Sequence, residues 1–143
     1  MAKLAIIYGT GFGNTGIMAK AIEEGAKSAG LDVMIKNVQD ATPADVEKVD
    51  AIAIGLATYK GAGMPGVIKY VESLGKLQLK NKVGTAFGSY GWSGEGPKVI
   101  ANMLKGYGMN VIEPPLRIKR TPEAEGIEEC RNLGKRIADM ISG

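Results

Sequence analysis

Tyr8-Gly9-Thr10-Gly11-Phe12-Gly13-Asn14-Thr15 is the stretch that decides the fold. It follows the apolar run Leu4-Ala5-Ile6-Ile7 and leads into a segment with Met18, Ile22, Gly25 and Ala29 on one helical face. A short branched apolar run suits a buried strand of a parallel sheet, and the spaced set predicts an amphipathic helix. Between them lies a turn of glycines, threonines and one asparagine. Backbone N–H groups at the start of such a helix, with the dipole behind them, favour an anion. The dinucleotide fingerprint needs a glycine where Asn14 stands, and an acid at the end of the second strand, where Lys36-Asn37 stands. The nucleoside triphosphate loop needs a lysine where Ile17 follows Gly16. What remains is a loop whose donors are neutral: the Thr10 and Thr15 hydroxyls, the Asn14 amide and backbone N–H groups. The alternative is a plain strand-to-helix turn in which Asn14 caps the helix and nothing binds.

Strands and helices alternate along the rest of the chain. Ala29-Gly30 ends the first helix, and Asp32 to Asn37 reads as strand two. Thr42-Pro43 opens a short helical segment to Glu47. Val49 to Gly55 reads as strand three, buried on both faces. Val67, Ile68, Val71 and Leu74 mark the next helix. Strand four runs from Lys82 to Gly88, followed by a loop at 88–95. Val99, Ile100, Met103, Leu104 and Tyr107 mark another helix. Strand five is Asn110 to Ile112; Pro114-Pro115 interrupts it, and Leu116-Arg117-Ile118 resumes it or forms an edge segment. Thr121-Pro122-Glu123 predicts the start of the last helix, with Ile127, Cys130, Gly134, Ile137 and Ile141 on one face. Five strands alternating with helices predict a parallel sheet covered on both sides, residues 1–143 forming one domain.

Composition narrows the function. The chain has 143 residues, 45% of them hydrophobic and 23% charged, as in ordinary globular proteins. No apolar run reaches the ~20 residues needed to span a bilayer. The first strand starts at the N-terminus, so no signal peptide is expected, and the expected location is cytoplasmic. With no histidine and one cysteine, Cys130, the chain has neither an internal disulfide nor a histidine-based or multi-cysteine metal centre. Cys130 and Met18, Met103 and Met140 read as core residues, and Glu95 as a first-turn helix acid. The net charge of +3 comes from residues 72–143. It is too spread out to point to nucleic acid, but it bears on a protein partner.

In a doubly wound sheet, ligands bind outside the carboxyl ends of the strands at the topological switch point. For order 2-1-3-4-5, the loops 9–15, 56–66 and 88–95 converge there. Phe12, Tyr59, Tyr90 and Trp92 all fall in these loops. A ligand with a phosphate at one end and a flat ring at the other fits: the ring stacks on an aromatic face, and glycines let the backbone approach its edge. The alternative is that Tyr90 and Trp92 pack onto helix ends.

Ile7-Tyr8-Gly9-Thr10 with Gly13-Asn14-Thr15 resembles the phosphate loop of the flavodoxins, which bind FMN. The resemblance spans the chain and is closest to the flavodoxin-like domain of flavodiiron (A-type) flavoproteins. Gly88-Ser89-Tyr90-Gly91-Trp92-Ser93-Gly94-Glu95 is similar to that group's third flavin loop, and Gly55, Thr58 and Pro65 fit its second. The resemblance implies a flavodoxin-like three-layer sandwich with a five-stranded parallel sheet of order 2-1-3-4-5. It places Thr10, Gly11, Phe12, Gly13, Asn14 and Thr15 around the FMN phosphate. Ala57, Thr58, Tyr59, Lys60 and Gly61 would border the N5 edge and one ring face; Ser89, Tyr90, Gly91, Trp92 and Gly94 would border the pyrimidine end and the other face. Gly11 stands where flavodoxins often carry a hydroxyl residue, and Ala57 where the flavodiiron domain usually has proline. The diiron domain is missing. The implied function is electron transfer between redox proteins by a monomer or weak dimer, with no catalytic residue, no metal, no nucleic acid and no membrane. Alternatives are an FMN-dependent reductase using NADH or NADPH, and a flavin-free interaction domain on the same scaffold. Gly61 or Gly63 would offer a carbonyl to the reduced ring's N5–H. Lys60 would stabilise the reduced ring's negative charge, or be a solvated loop lysine.

Overall fold

A computed structural model describes residues 2–9, 13–57, 65–90 and 95–142. Six strands form one sheet: β1 (Lys3–Tyr8), β2 (Asp32–Asn37), β3 (Ala51–Gly55), β4 (Val83–Tyr90), β5 (Asn110–Val111) and β6 (Leu116–Lys119). The order is β2-β1-β3-β4-β5, and β6 also pairs with β4, so the interrupted fifth position is filled by two short strands in turn. All pairings are parallel. Among the described residues four α-helices flank the sheet: α1 (Asn14–Ser28), α2 (Pro65–Ser73) and α3 (Gly96–Gly106) lie between strands, α4 (Ala124–Ser142) follows β6, and short 3-10 turns join β2 to β3. The expected order and the interruption at Pro114-Pro115 are both observed.

Alternation along each strand splits the core into two layers. Leu4, Ile6, Ala51, Ala53, Val83 and Phe87 face α1 and α4, where they meet Met18, Ile22, Cys130 and Ile137. Ala5, Ile7, Ile52, Ile54 and Ala86 face α2 and α3, where they meet Val67, Val71, Ile100 and Leu104. Because both faces are covered, β3 is buried at every position. Cys130 is fully buried, and burial pushes its thiol up to about 12, so it stays protonated and unreactive in the folded state.

Helices α1 and α4 approach more closely than ordinary side chains allow. A Cβ at Gly25 would lie 1.9 Å from the Arg131 carbonyl oxygen, and one at Gly134 would lie 2.3 Å from that of Ile22. The two glycines let the helix backbones touch. The end of α1 is closed by a hydrogen-bonded C-cap: Leu31 N–H donates to Ala26 C=O (3.1 Å), Gly30 N–H donates to Lys27 C=O (3.0 Å), and Gly30 has φ 95°.

Several boundaries differ from those read from sequence. Strand β4 extends to Tyr90, because β6 pairs with it at Phe87↔Leu116, Gly88↔Arg117, Ser89↔Ile118 and Tyr90↔Lys119. Ser89 and Tyr90 are therefore strand residues and not loop residues. Strand β3 starts at Ala51, two residues later than Val49. Helix α1 is capped by Gly13 at φ 87°, not by Asn14, which is its first residue. Helix α4 starts at Ala124, and Ile127 N–H donates to Glu123 C=O; Thr121-Pro122 only precedes it. Ala29 is exposed past the end of α1, and Val99 and Met140 are exposed as well.

One buried polar group in this core has no partner. Thr85 is 1% exposed in the middle of β4, and its Oγ1 has no hydrogen-bond partner among the described residues. A buried hydroxyl without a partner keeps its desolvation cost. Thr85→Val keeps the branched shape and removes that group. It should raise the free energy of unfolding by about 1 kcal/mol, seen as a higher urea midpoint with an unchanged slope.

Candidate functional site

The carboxyl ends of β1, β3 and β4 lie side by side. In register, Tyr8 faces Gly55, and Gly55 faces Phe87. Two backbone hydrogen bonds continue these pairings past the strands: Gly9 N–H to Gly55 C=O at 3.0 Å, and Leu56 N–H to Phe87 C=O at 3.1 Å. The first two loops thus leave the sheet beside Phe87, while β4 runs on to Tyr90 along β6 before its own loop begins. No helix among the described residues is long and apolar enough to cross a membrane. No group of three or more potential metal-ligating side chains is present among them.

At this point α1 begins. Its N-cap is glycine, which brings no side-chain acceptor to the first-turn amides, and the first turn contains no acid. The positive end of the helix is therefore left without a negative side chain of its own. Thr15, fully buried, and Ser89, 6% exposed, place their hydroxyl oxygens 3.2 Å apart. Either hydroxyl donates to the other, so the pair keeps one further proton to give to a third acceptor.

Aromatic rings hold this turn from below. A Cβ at Gly16 would lie 3.3 Å from the Tyr8 ring. A Cβ at Gly55 would lie 2.4 Å from the Phe87 ring and 3.0 Å from the Thr15 methyl. The missing side chain of Gly55 thus lets Phe87 slide beneath Thr15, whose hydroxyl reaches Ser89. Gly88 plays a similar part on the next strand: a Cβ there would lie 2.0 Å from the Leu56 carbonyl oxygen. That close approach lets the chain cross β4 before it enters the second loop, with Ala57 buried beside it. Tyr90 follows at the mouth, half-buried.

Of the residues singled out from sequence, Gly13, Asn14, Thr15, Ala57, Ser89 and Tyr90 are brought to this one end of the sheet. Thr10, Gly11, Phe12, Thr58, Tyr59, Lys60, Gly61, Gly91, Trp92 and Gly94 lie outside the described residues. Phe87 shapes the site and is absent from the sequence-derived set, since a phenylalanine inside a strand gives no signal of this kind until its neighbours are known. Gly55 and Gly88, which entered the sequence reading as parts of the resembling motifs, shape it as well. The donor set is neutral, converges at a helix N-terminus and has an aromatic residue at its mouth. It fits a phosphate monoester joined to a flat ring, as FMN is.

Comparison with known proteins agrees with this geometry. Residues 6–134 match the Flavodoxin family model. A solved flavodoxin from the domain Archaea is 35% identical, with a TM-score of 0.95 and 99% of each chain covered. Among curated proteins, type A flavoprotein fprA of Rhodobacter capsulatus is 37% identical over 98% of this chain and 33% of its own length. A nitric oxide reductase of Moorella thermoacetica is 33% identical over 99% of this chain and 37% of its own. The chain thus spans about a third of the length of these curated relatives. Loop, fold and comparison converge: the chain belongs to the flavodoxin family, whose cofactor is FMN.

Proposed function

We propose that residues 1–143 form one FMN-carrying unit that passes electrons between redox proteins. The observation that carries this reading is the buried Thr15–Ser89 hydroxyl pair at the acid-free N-terminus of α1. Gly13, Asn14 and Thr15 would hold the phosphate through backbone N–H groups and the Thr15 hydroxyl, together with Thr10, Gly11 and Phe12. Ser89 would orient Thr15 and keep water from it. Tyr90 would border one face of the ring with Gly91, Trp92 and Gly94; Ala57 would border the other with Thr58, Tyr59, Lys60 and Gly61. FMN so bound would supply reversible uptake of electrons, which a protein side chain does not.

The reaction named for the nitric oxide reductase is not carried over. This chain corresponds to about a third of that protein and contains no histidine. The 35% identity to the archaeal flavodoxin, with a closely similar fold, supports the carrier reading. Purified protein loaded with FMN should oxidise neither NADH nor NADPH at a steady rate when a quinone is supplied. Sustained turnover would transfer the reading to a reductase.

A further inference from the structure

We propose that β2 is the contact edge of a two-fold dimer, in which the β2 strands of two copies of this chain pair antiparallel about Met34. The two edges of the sheet are built differently. On one, β5 has two residues and β6 four, with Pro114-Pro115 between them; shortness and proline both guard an edge against pairing. On the other, β2 pairs with β1 over six consecutive residues without a bulge or a proline. Asp32 N–H donates to the Ala2 carbonyl at 2.9 Å. Backbone groups along a strand alternate in direction, so those of Asp32, Met34 and Lys36 serve β1, and those of Val33 and Ile35 point outward. Among the described residues no strand lies beyond them.

The strand reads Asp32-Val33-Met34-Ile35-Lys36, which is complementary to itself when reversed. Pairing about Met34 sets Val33 against the second copy's Ile35, and Ile35 against its Val33. Each couple exchanges both backbone hydrogen bonds, which satisfies the outward groups of both residues. Met34 then faces the second copy's Met34, Asp32 faces its Lys36, and Lys36 faces its Asp32. Centring the pair on Val33 or Ile35 instead leaves all these charges without an opposite partner. The faces agree as well. Val33 and Ile35 pack at the margin of the α1/α4 layer, and Met34 at that of the α2/α3 layer. Pairing therefore joins apolar margin to apolar margin on both sides of the sheet. Lys36 Nζ donates to Asp45 Oδ1 at 3.1 Å, and the ammonium keeps further N–H groups for a second carboxylate. Asp32 is exposed. Asp32 and Met34 line a cleft of about 270 Å³, which leaves room for a second methionine. Charge on an edge also guards it against pairing, but guarding does not call for opposite signs placed evenly about an apolar centre. The two copies run opposite ways, so their candidate sites lie at opposite ends of the joined sheet.

Sedimentation of the full chain tests the proposal without any cofactor, so its failure is distinct from failure of the FMN reading. At low salt a species of twice the mass should form as protein concentration rises and be lost on dilution. Asp32→Lys and Lys36→Glu, each alone, set like charges opposite each other at both contacts. Each should weaken self-association about tenfold. Mixed in equal amounts, the two variants should associate with each other at close to the parent's affinity, because every contact again joins opposite signs. That recovery also shows that each variant is folded. A parent that stays monomeric at millimolar concentration would overturn the proposal. So would a dimer that both variants leave unchanged, or a mixture that associates no better than its components. Register is read separately. Met34→Cys, treated with oxidised glutathione, should link two copies through position 34, since residues that face themselves in such a pair lie within disulfide reach. Val33→Cys, which faces Ile35, should not. Cys130 is fully buried and does not compete. Equal linking at both positions would contradict pairing about Met34.

Discussion

Gly25→Ala should cost about 3 kcal/mol or more of folding stability, and Gly134→Ala a similar amount. Alanine is the better helix former by up to about 1 kcal/mol, so on an isolated helix both changes would stabilise. Here the added methyl at position 25 would sit 1.9 Å from the Arg131 carbonyl oxygen, and that at position 134 would sit 2.3 Å from the Ile22 carbonyl oxygen. Neither obstacle is the flexible end of a side chain. The helices must separate, which loosens Met18, Ile22, Cys130 and Ile137 in the layer beneath them. The steric term exceeds the propensity term. Gly106→Ala is the control: a Cβ there meets nothing within 4 Å, and the change should be neutral or mildly stabilising. Urea midpoints of the three variants check this. A Gly25→Ala midpoint at or above that of the parent would contradict the backbone contact.

The second large effect is on the cofactor. Thr15→Val keeps the methyl that rests over Phe87 and removes the hydroxyl that reaches Ser89. If that hydroxyl serves a phosphate dianion, its loss removes a hydrogen bond to a charged group, worth about 1.5–3 kcal/mol. That corresponds to roughly ten- to hundredfold weaker FMN binding. Riboflavin, which has no phosphate, should bind the variant as it binds the parent. Ser89→Ala should weaken FMN less, because Ser89 acts through Thr15 in this account. Fluorescence titrations with the two flavins separate the cases. An equal loss for FMN and riboflavin would mean that Thr15 acts only by holding the fold together.

Much of this was legible in the sequence, and the misses have physical causes. The alternation of apolar runs and helical stripes gave the layers, and the resemblance to the flavodoxins supplied the strand order among the few that a doubly wound sheet allows. The end of β4 was not legible. Gly88-Ser89 has the composition of a turn, yet β6 supplies a pairing partner as far as Tyr90. That partner is a four-residue strand read only as an uncertain continuation of strand five. Val99 and Ile100 are adjacent on α3, so both cannot face the core, and Ile100 is the one buried. The periodicity of α1 carries on to Ala29, but the cap has already ended the helix there. The site was legible as loops and residue types. The Thr15–Ser89 bond was not, since it joins residues 74 apart. Gly25 and Gly134 were visible as members of apolar stripes, but the contact they permit exists only once α1 and α4 are packed.

The most direct test of the central claim is the visible spectrum of the purified protein, incubated with FMN, freed of excess and reduced stepwise without oxygen. The account predicts flavin absorption that stays with the protein, bleaches in two successive one-electron stages and yields FMN on denaturation. A protein that leaves the column colourless, with all the FMN in the flow of small molecules, would contradict it.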